Sequence, residues 1–137
     1  MFYGASLFNQ PLNTWNTSGF TNMDSMFLNA TSFNQPLNSW DISNVFNVKN
    51  TFGGATRFNQ DISDWDFTLI QNIDNFMIGK TNLNYAPSYY DALLINWDGT
   101  GITSEAVDMG TIKHTTAGST ARANLISKGW NITDGGL

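Results

Sequence analysis

A repeat of 25 residues is the feature that most constrains this chain. The tripeptide Phe-Asn-Gln begins at Phe8, Phe33 and Phe58, and the residues between these copies repeat with it, mostly apolar for apolar and small polar for small polar. A period of about 20 to 29 residues is typical of proteins built as a row of similar coils, in which each coil buries its apolar edge only against its neighbours. We therefore expect a layered repeat fold.

Each copy contains two apolar patterns. Trp40 and Ile42 have the period-two spacing of a short strand with both side chains in the core. Helical spacing of i, i+3, i+4 and i+7 follows that strand in the first copy, at Met23, Met26, Phe27 and Ala30. These patterns predict an α/β repeat: a leucine-rich-repeat-like solenoid with a short parallel β-sheet on one face, short helices on the other, and an α/β cap at its C-terminal end.

Two sets of repeated side chains have both a structural and a ligand-binding interpretation. The tryptophans, Trp15, Trp40 and Trp65, are predicted to be core, since a platform for stacking sugars would need their rings turned outward. The amides, Asn9, Asn34, Asn59 and Gln10, Gln35, Gln60, are predicted to bond to backbone groups at the bends of each copy.

The repeat frame fails from Leu83 onward. We divide the domain into residues 1–85, three 25-residue repeats preceded by a partial repeat, and residues 86–137, a C-terminal capping segment. In that segment the pattern predicts a helix beginning near Pro87 and ending before Asp98, and a second helix closed by Gly129. Strands are predicted around Val107 and around Ile132 that extend the sheet.

The first residues belong to the middle of a repeat. Met1 and Phe2 correspond to Met26 and Phe27, so no polar cap precedes the first copy in this sequence. We expect either that the chain is a fragment of a longer array or that its first coil docks on a partner. The N-terminal face is therefore predicted to contact upstream repeats or another copy of the protein.

Composition excludes several classes of function. The chain has 137 residues, no Cys and a net charge of −5, and only 12% of its residues are charged. Its six basic residues are scattered, whereas nucleic-acid binding needs a cationic stripe, so we expect no nucleic-acid partner. No apolar run approaches the roughly 18 residues of a membrane span, so we expect no membrane insertion.

No catalytic or metal-binding motif is found. His114 is the one histidine, and we expect it to be solvated in its loop. Asp61, Asp64 and Asp66 could hold calcium if backbone carbonyls joined them, but solvated carboxylates are the simpler interpretation and we expect no stabilisation by calcium. No motif positions an acid/base pair for glycan hydrolysis. We expect neither enzymatic activity, nor a metal, nor a cofactor.

The remaining candidate is a surface. Residues that alternate with the inward side chains must point outward from the predicted sheet. They form three polar columns, which we predict to be the ligand-binding sheet face: Thr14, Ser39, Asp64; Asn16, Asp41, Asp66; and Ser18, Ser43, Thr68. Repeat proteins commonly bind partners on such an extended face, although the same pattern also describes the solvated side of a sheet.

The chain resembles the BspA-like leucine-rich-repeat surface proteins of bacteria. The resemblance is carried by FNQPLNTW at Phe8–Trp15, FNQPLNSW at Phe33–Trp40 and, near the end, YDALLINW at Tyr90–Trp97. It implies a recognition module without enzymatic activity at the cell surface or outside the cell, within a larger adhesin. The sequence itself shows no export signal, lipid-attachment cysteine or anchoring domain.

Two functions follow as hypotheses. The first is a surface recognition and adhesion module that binds a host or cell-surface protein or glycan through the polar acidic face. The alternative is a structural spacer or an assembly component, including one of a virus particle with a virion-surface location, that docks through its open N-terminal coil.

Overall fold

The computed structural model describes all residues, 1–137, and contains two helices and two strands. Helix α1 spans Pro87–Thr100, strand β1 spans Ala106–Asp108, helix α2 spans Thr116–Ser127 and strand β2 spans Asn131–Thr133. The strands pair in parallel, with Val107 opposite Ile132. All four elements lie where the C-terminal sequence pattern predicts them, except that α1 continues through Asp98 and ends at Thr100.

The predicted α/β leucine-rich-repeat-like solenoid is wrong. Residues 1–86 contain no helix and no strand, only turns, bends and isolated β-bridges that join Asn22 to Asn47 and Asn47 to Asn72. The two C-terminal strands form a two-stranded sheet of their own and extend no larger sheet. The parallel sheet on one face and the helices on the other are both absent.

Local turns replace the strand that was predicted at each Trp-x-Ile segment. The N–H of Trp40 donates to the carbonyl of Leu37 at 3.0 Å, and the N–H of Val45 donates to the carbonyl of Ile42 at 2.8 Å. Each bond closes a four-residue turn. Because these N–H groups are used within the copy, they cannot pair with a neighbouring strand.

Left-handed backbone conformations exclude the predicted helices. Ser25 and Asn29 have φ values of 56° and 59°, and Asn50 and Asn75 repeat the first of these conformations at 54°. An α-helix requires φ near −63° at every residue. Two left-handed residues within one turn of the apolar segment therefore interrupt any helix that its spacing suggests.

Consecutive copies are joined by alternate backbone N–H groups. Those of Met23, Ser25, Phe27 and Asn29 donate to the carbonyls of Asn47, Lys49, Thr51 and Gly53 at 2.8–2.9 Å. Val48, Asn50, Phe52 and Gly54 donate in the same way to Asn72, Asp74, Phe76 and Ile78. The intervening N–H groups close local turns, as from Met26 to the carbonyl of Met23. Nearly every N–H of this segment is therefore paired, as a buried backbone requires.

The tryptophans of the second and third copies are core, as predicted. Trp40 and Trp65 are 3% and 1% exposed, and their rings stack with centroids 6.5 Å apart. Each ring also donates from Nε1 to a carbonyl of the preceding copy, Trp40 to Leu12 and Trp65 to Leu37, both at 2.9 Å. Trp15 differs, since it is 40% exposed.

The repeated asparagines have the structural role that was predicted for them. Asn9 Oδ1 accepts a hydrogen bond from the N–H of Asn34, and Asn34 Oδ1 accepts one from the N–H of Asn59, both at 2.9 Å. Asn59 Oδ1 in turn accepts from the N–H of Ala86, the residue before α1. The amide column thus fixes each copy on the next and fixes the start of α1 on the third copy.

Helix α1 packs on helix α2 through a buried carboxylate. Asp91 in α1 is 5% exposed, and it accepts hydrogen bonds from the N–H and the hydroxyl of Thr115 at 2.8 and 2.6 Å. Thr115 is the N-cap of α2, and its hydroxyl oxygen also accepts from the N–H of Ala117. Gly118 lies buried against Asp91, where a side chain would have no room.

A second polar cluster ties the C-terminal residues to both helices. Asp134 accepts a bidentate pair of bonds from Arg122, both at 2.8 Å, and one from the hydroxyl of Tyr90 at 2.6 Å. Burial alone raises the pKa of Asp134, but the bonds from Arg122, Tyr90 and the N–H of Gly136 outweigh it and lower that pKa. Burial and the bond to Asp134 raise the pKa of Tyr90.

Replacement of Gly118 by Ala should destabilise the domain, whereas replacement of Gly99 by Ala should stabilise it. A Cβ at Gly118 would lie 3.2 Å from Asp91 Cα and closer still to its carboxylate, while a Cβ at Gly99 meets nothing within 4 Å. We expect a loss of about 2 kcal/mol for G118A and a gain of about 0.5 kcal/mol for G99A in the free energy of unfolding, measured by urea titration. An equal effect of the two substitutions would contradict the assigned helix contact.

Replacement of Ser25 by Asn should raise the free energy of unfolding. Ser25 adopts the left-handed conformation that Asn occupies at positions 50 and 75, and Asn tolerates it better than Ser does. The expected gain in urea titration is about 0.5 kcal/mol. Asn50→Ser is the matched control and should lose a similar amount; unchanged stability in both variants would argue against the assigned backbone conformation.

Candidate functional site

The nine predicted site residues lie on a surface of turns and not on a sheet. Eight of them are exposed and Ser43 is half-buried. We name this surface the polar turn face: Thr14, Asn16, Ser18, Ser39, Asp41, Ser43, Asp64, Asp66 and Thr68. The outward direction that the sequence predicts is therefore present, but the flat strand surface is not.

Two of the three columns form one repeated motif. Asn16 Oδ1 accepts hydrogen bonds from the N–H and the hydroxyl of Ser18 at 3.2 and 2.8 Å. Asp41 Oδ1 accepts the same two bonds from Ser43 at 3.0 and 2.6 Å. Asp66 repeats the pattern with Thr68. An Asn or Asp side chain that bonds to the backbone two residues ahead fixes both the turn and its own rotamer.

In each copy of the motif, the second polar atom of the Asn or Asp side chain has no hydrogen-bond partner. Asn16 Nδ2, Asp41 Oδ2 and Asp66 Oδ2 have no hydrogen-bond partner within the chain, whereas the Oδ1 atoms are all engaged. The Ser43 hydroxyl and then the Ser43 N–H lower the pKa of Asp41. The face thus presents one amide donor and two fixed carboxylate acceptors in a row.

The remaining column is less organised. The Ser39 hydroxyl donates to Asn13 Oδ1 of the preceding copy at 2.6 Å, while Thr14 and Asp64 make no side-chain hydrogen bond. None of the basic residues belongs to the polar turn face. The face therefore favours cationic or hydroxyl-bearing ligands over anions.

The carboxylates of Asp61, Asp64 and Asp66 do not come together as a set of metal ligands. Asp61 bonds to Ser63 and Asp66 bonds to Thr68, so each carboxylate caps its own turn. No group of three or more potential metal-ligating side chains occurs anywhere in the structure. Neither helix has the length and apolar character that crossing a bilayer requires.

A small groove lies beside the two-stranded sheet. It encloses about 160 Å³ and is lined mainly by polar groups, including Asp74, Asn75, Asp108 and Asn131. Burial and the neighbouring charge of Asp74 raise the pKa of Glu105 next to this groove. Ligand pockets usually enclose about 300 to 1,000 Å³, so this groove holds little more than a few waters.

His114 and Lys80 were not anticipated as buried groups. The prediction of a solvated His114 is wrong, because the residue is 8% exposed and its Nδ1 lies 2.9 Å from the carbonyl oxygen of Thr115. Lys80 is 1% exposed. A signal for Lys80 does exist in the sequence, since it stands at the repeat position that Ala30 and Ala55 occupy.

The buried Lys80 amine bonds to backbone carbonyls of the second and third copies. Its Nζ donates to the carbonyls of Ala55 and Phe58. The same Nζ lies 5.7 Å from the centroid of the Phe58 ring. Burial lowers the pKa of Lys80 to about 7. A neutral amine retains two N–H groups, so both carbonyls stay paired after the proton is lost.

Comparison with known protein families matches the larger part of the chain. A family described as "Mycoplasma protein of unknown function, DUF285" matches residues 1–90. No curated protein and no solved structure matches the chain significantly. The family description states neither a fold nor an activity, so the resemblance to BspA-like proteins stays a prediction.

Lys80 should make the stability of the domain rise with pH. Below pH 7 the Lys80 amine is protonated in both the folded and the unfolded chain. The free-energy cost of burying its charge therefore opposes folding in full. Above the folded pKa of about 7 and below the ordinary value of 10.5, the unfolded chain binds the additional proton, so the free energy of unfolding increases with pH. The slope should approach about 1.4 kcal/mol per pH unit.

Urea titrations from pH 6 to 9 measure this slope, and Lys80→Met should abolish it. Lys113→Met removes an exposed lysine and should leave the slope unchanged. An identical pH dependence in the wild type and the Lys80 variant would show that the buried amine keeps its proton throughout.

Proposed function

We propose that this chain, which belongs to the DUF285 family of Mycoplasma proteins of unknown function, is a non-catalytic recognition module. In this proposal it forms part of a larger surface or extracellular protein and binds a protein or glycan of another cell through the polar turn face. The observation that carries the proposal is the row of exposed side chains, Asn16, Asp41 and Asp66, whose orientations are fixed by bonds within their own turns.

Fixed orientation matters because ordering a side chain on binding costs free energy. An immobilised side chain typically costs about 0.5 to 1.5 kcal/mol when it is ordered by the ligand. The bonds from Ser43 and Thr68 already hold Asp41 and Asp66 before any ligand arrives. Their free Oδ2 atoms can then accept hydrogen bonds from sugar hydroxyls or from basic side chains at little further cost.

The spacing of the row favours an extended ligand. Consecutive members are 25 residues apart in sequence, and their copies are joined directly by backbone hydrogen bonds. A ligand with regularly repeated hydroxyl or cationic groups could therefore contact two or three members at once. Exposed Thr14 and Asp64 lie two residues before Asn16 and Asp66 and add further polar groups to the same surface.

An alternative function is supported by a different observation. Several aromatic side chains at the N-terminal end of the first copy are only partly buried, and Trp15 is 40% exposed. Such a patch suits a spacer or an assembly component that docks through this end. Failure to find any ligand for the polar turn face, together with assembly through the N-terminal end, would favour that function.

Binding to glycan and cell-surface protein arrays should depend on Asp41 and Asp66. In D41N and D66N the carboxylates become amides, and the turns should persist because Asn16 makes the same bonds in the first copy. Loss of two charged acceptors should weaken binding by about tenfold or more, since one hydrogen bond to a charged group contributes about 1.5 to 3 kcal/mol.

The matched control removes two carboxylates from another part of the surface. Asp24→Asn with Asp74→Asn gives the same change in net charge outside the polar turn face, so binding should be preserved. Equal weakening in both double variants would point to a general charge effect, and unchanged binding by the D41N/D66N protein would place the site elsewhere.

A further inference from the structure

The backbone hydrogen bonding between successive segments is interrupted where the third copy meets strand β1. The N–H of Asn50 donates to the carbonyl of Asp74 at 2.9 Å, but the N–H of Asn75, its counterpart one copy later, has no acceptor within the chain. The pattern resumes at Met77, whose N–H donates to the carbonyl of Asp108 at 3.1 Å. The small polar groove beside the sheet lies at this interruption.

The edge of β1 that faces the third copy is open at the same place. Strand β1 pairs with β2 through alternate residues: the carbonyl of Glu105 accepts from the N–H of Asn131, and the N–H of Met109 donates to the carbonyl of Thr133. The residues between them direct their backbone groups to the other edge. The N–H and the carbonyl of Ala106 therefore point away from β2, and neither has a partner within the chain.

Most of the unpaired groups in the groove are hydrogen-bond acceptors. Asp108 Oδ1 accepts from the N–H of Gly110 at 2.7 Å, which leaves Oδ2 free. The carboxylate of Asp74 accepts no hydrogen bond, and its one ion pair is a long, exposed contact of 3.9 Å with Lys49. The carbonyl of Ala106 is a third free acceptor. No basic side chain lines the groove.

The carboxylates around the groove repel one another. Burial and then the charge of Asp74 raise the pKa of Glu105, which lies next to the groove. Such a shift means that negative charge is disfavoured at this place. A cation bound between the carboxylates would relieve the repulsion, so the groove and a positively charged partner group are complementary.

The size of the groove and the positions of its acceptors favour a guanidinium group. The enclosed space of about 160 Å³ admits the end of one side chain. A guanidinium carries five N–H donors in a planar fork, whereas an ammonium is a compact group with three. Asp74 and Asp108 lie on different walls of the groove, one on the third copy and one on β1, so the wider group can contact both.

We propose that this groove is a docking site for an arginine side chain on an extended segment of a partner protein. The guanidinium donates to the carboxylates of Asp74 and Asp108 and to the carbonyl of Ala106. The free N–H of Asn75 is available for a backbone carbonyl of the same segment. The docking site lies outside the polar turn face and does not depend on the recognition function proposed for that face.

Amide chemical shifts of the whole chain, titrated with N-acetylarginine amide, test the proposal. We expect saturable shifts at Asn75, Ala106 and Asp108, with a dissociation constant of about 1 mM, which is ordinary for a ligand of this size. N-acetylcitrulline amide has nearly the same shape without the charge and should bind about tenfold more weakly or worse. The absence of saturable shifts, or equal binding of the citrulline compound, would overturn the proposal.

A third compound tests the choice of guanidinium over ammonium. N-acetyllysine amide carries the same charge as the arginine compound but lacks the planar fork of donors. It should bind several-fold more weakly. Equal or tighter binding of the lysine compound would show that the groove selects charge alone, and the assignment to arginine would be wrong.

A matched pair of variants separates the groove from the overall charge of the protein. Asp108→Asn removes a wall carboxylate but keeps Oδ1, the atom that accepts from Gly110, so it should fold and weaken arginine binding by about fivefold or more. Asp24→Asn makes the same change at an exposed carboxylate of the first copy, whose Oδ1 accepts from the Ser25 hydroxyl at 2.6 Å. It should leave binding unchanged, and equal effects of the two variants would contradict the proposed site.

The position of the shifts in the wild type gives the answer should Asp108→Asn fail to fold. Shifts at Asn75 that leave Ser43 and Thr68 unaffected support the groove. Shifts confined to Ser43 and Thr68, whose N–H groups bond to the acidic side chains of the polar turn face, would place arginine on that face instead. The groove proposal would then fail, while the recognition function proposed for the polar turn face would stand.

Discussion

The alternate hydrogen bonding of residues 23–29 to the next copy is the constraint on which the rest of the structure depends. Every second N–H crosses to a carbonyl of the following copy, while the intervening ones close local turns. This arrangement needs φ > 0 at recurring positions, which Ser25, Asn50 and Asn75 supply. Because the backbone path is fixed in this way, Phe27 and Phe52 come to lie above one another at 5.5 Å and form the core.

Sequence reasoning succeeded where side-chain chemistry decides the outcome. Burial of a recurring apolar ring is favoured whatever the backbone does, so Trp40 and Trp65 could be placed in the core. The same prediction failed for Trp15 of the first copy, which is 40% exposed. An amide at a bend finds backbone partners, so the role of Asn34 could be predicted too. The C-terminal helices were recognisable because Pro87 and Gly129 are ordinary start and stop signals, although α1 continues past its predicted end before Asp98 and stops at Thr100.

The sequence pattern did not distinguish a helix from a series of turns, because both place apolar residues at nearly the same spacing. A series of turns closed by i→i−3 bonds advances about three residues per turn, so it places apolar residues almost as a helix does. Ser25 gave no warning of a left-handed conformation, since Ser adopts it less readily than Gly or Asn. The outward direction of the nine site residues followed from alternation, but the bonds that fix Asp41 and Asp66 depend on turns that the sheet prediction did not contain.

The repetition of the polar turn face has a consequence for binding. Asn16, Asp41 and Asp66 recur once per copy in the same turn, so one chain carries the same polar motif three times. Linked contacts raise the apparent affinity for a repeated ligand well above that of any single contact, provided that they can be engaged at once. A weak interaction at each position would then be sufficient for attachment in the proposed recognition module.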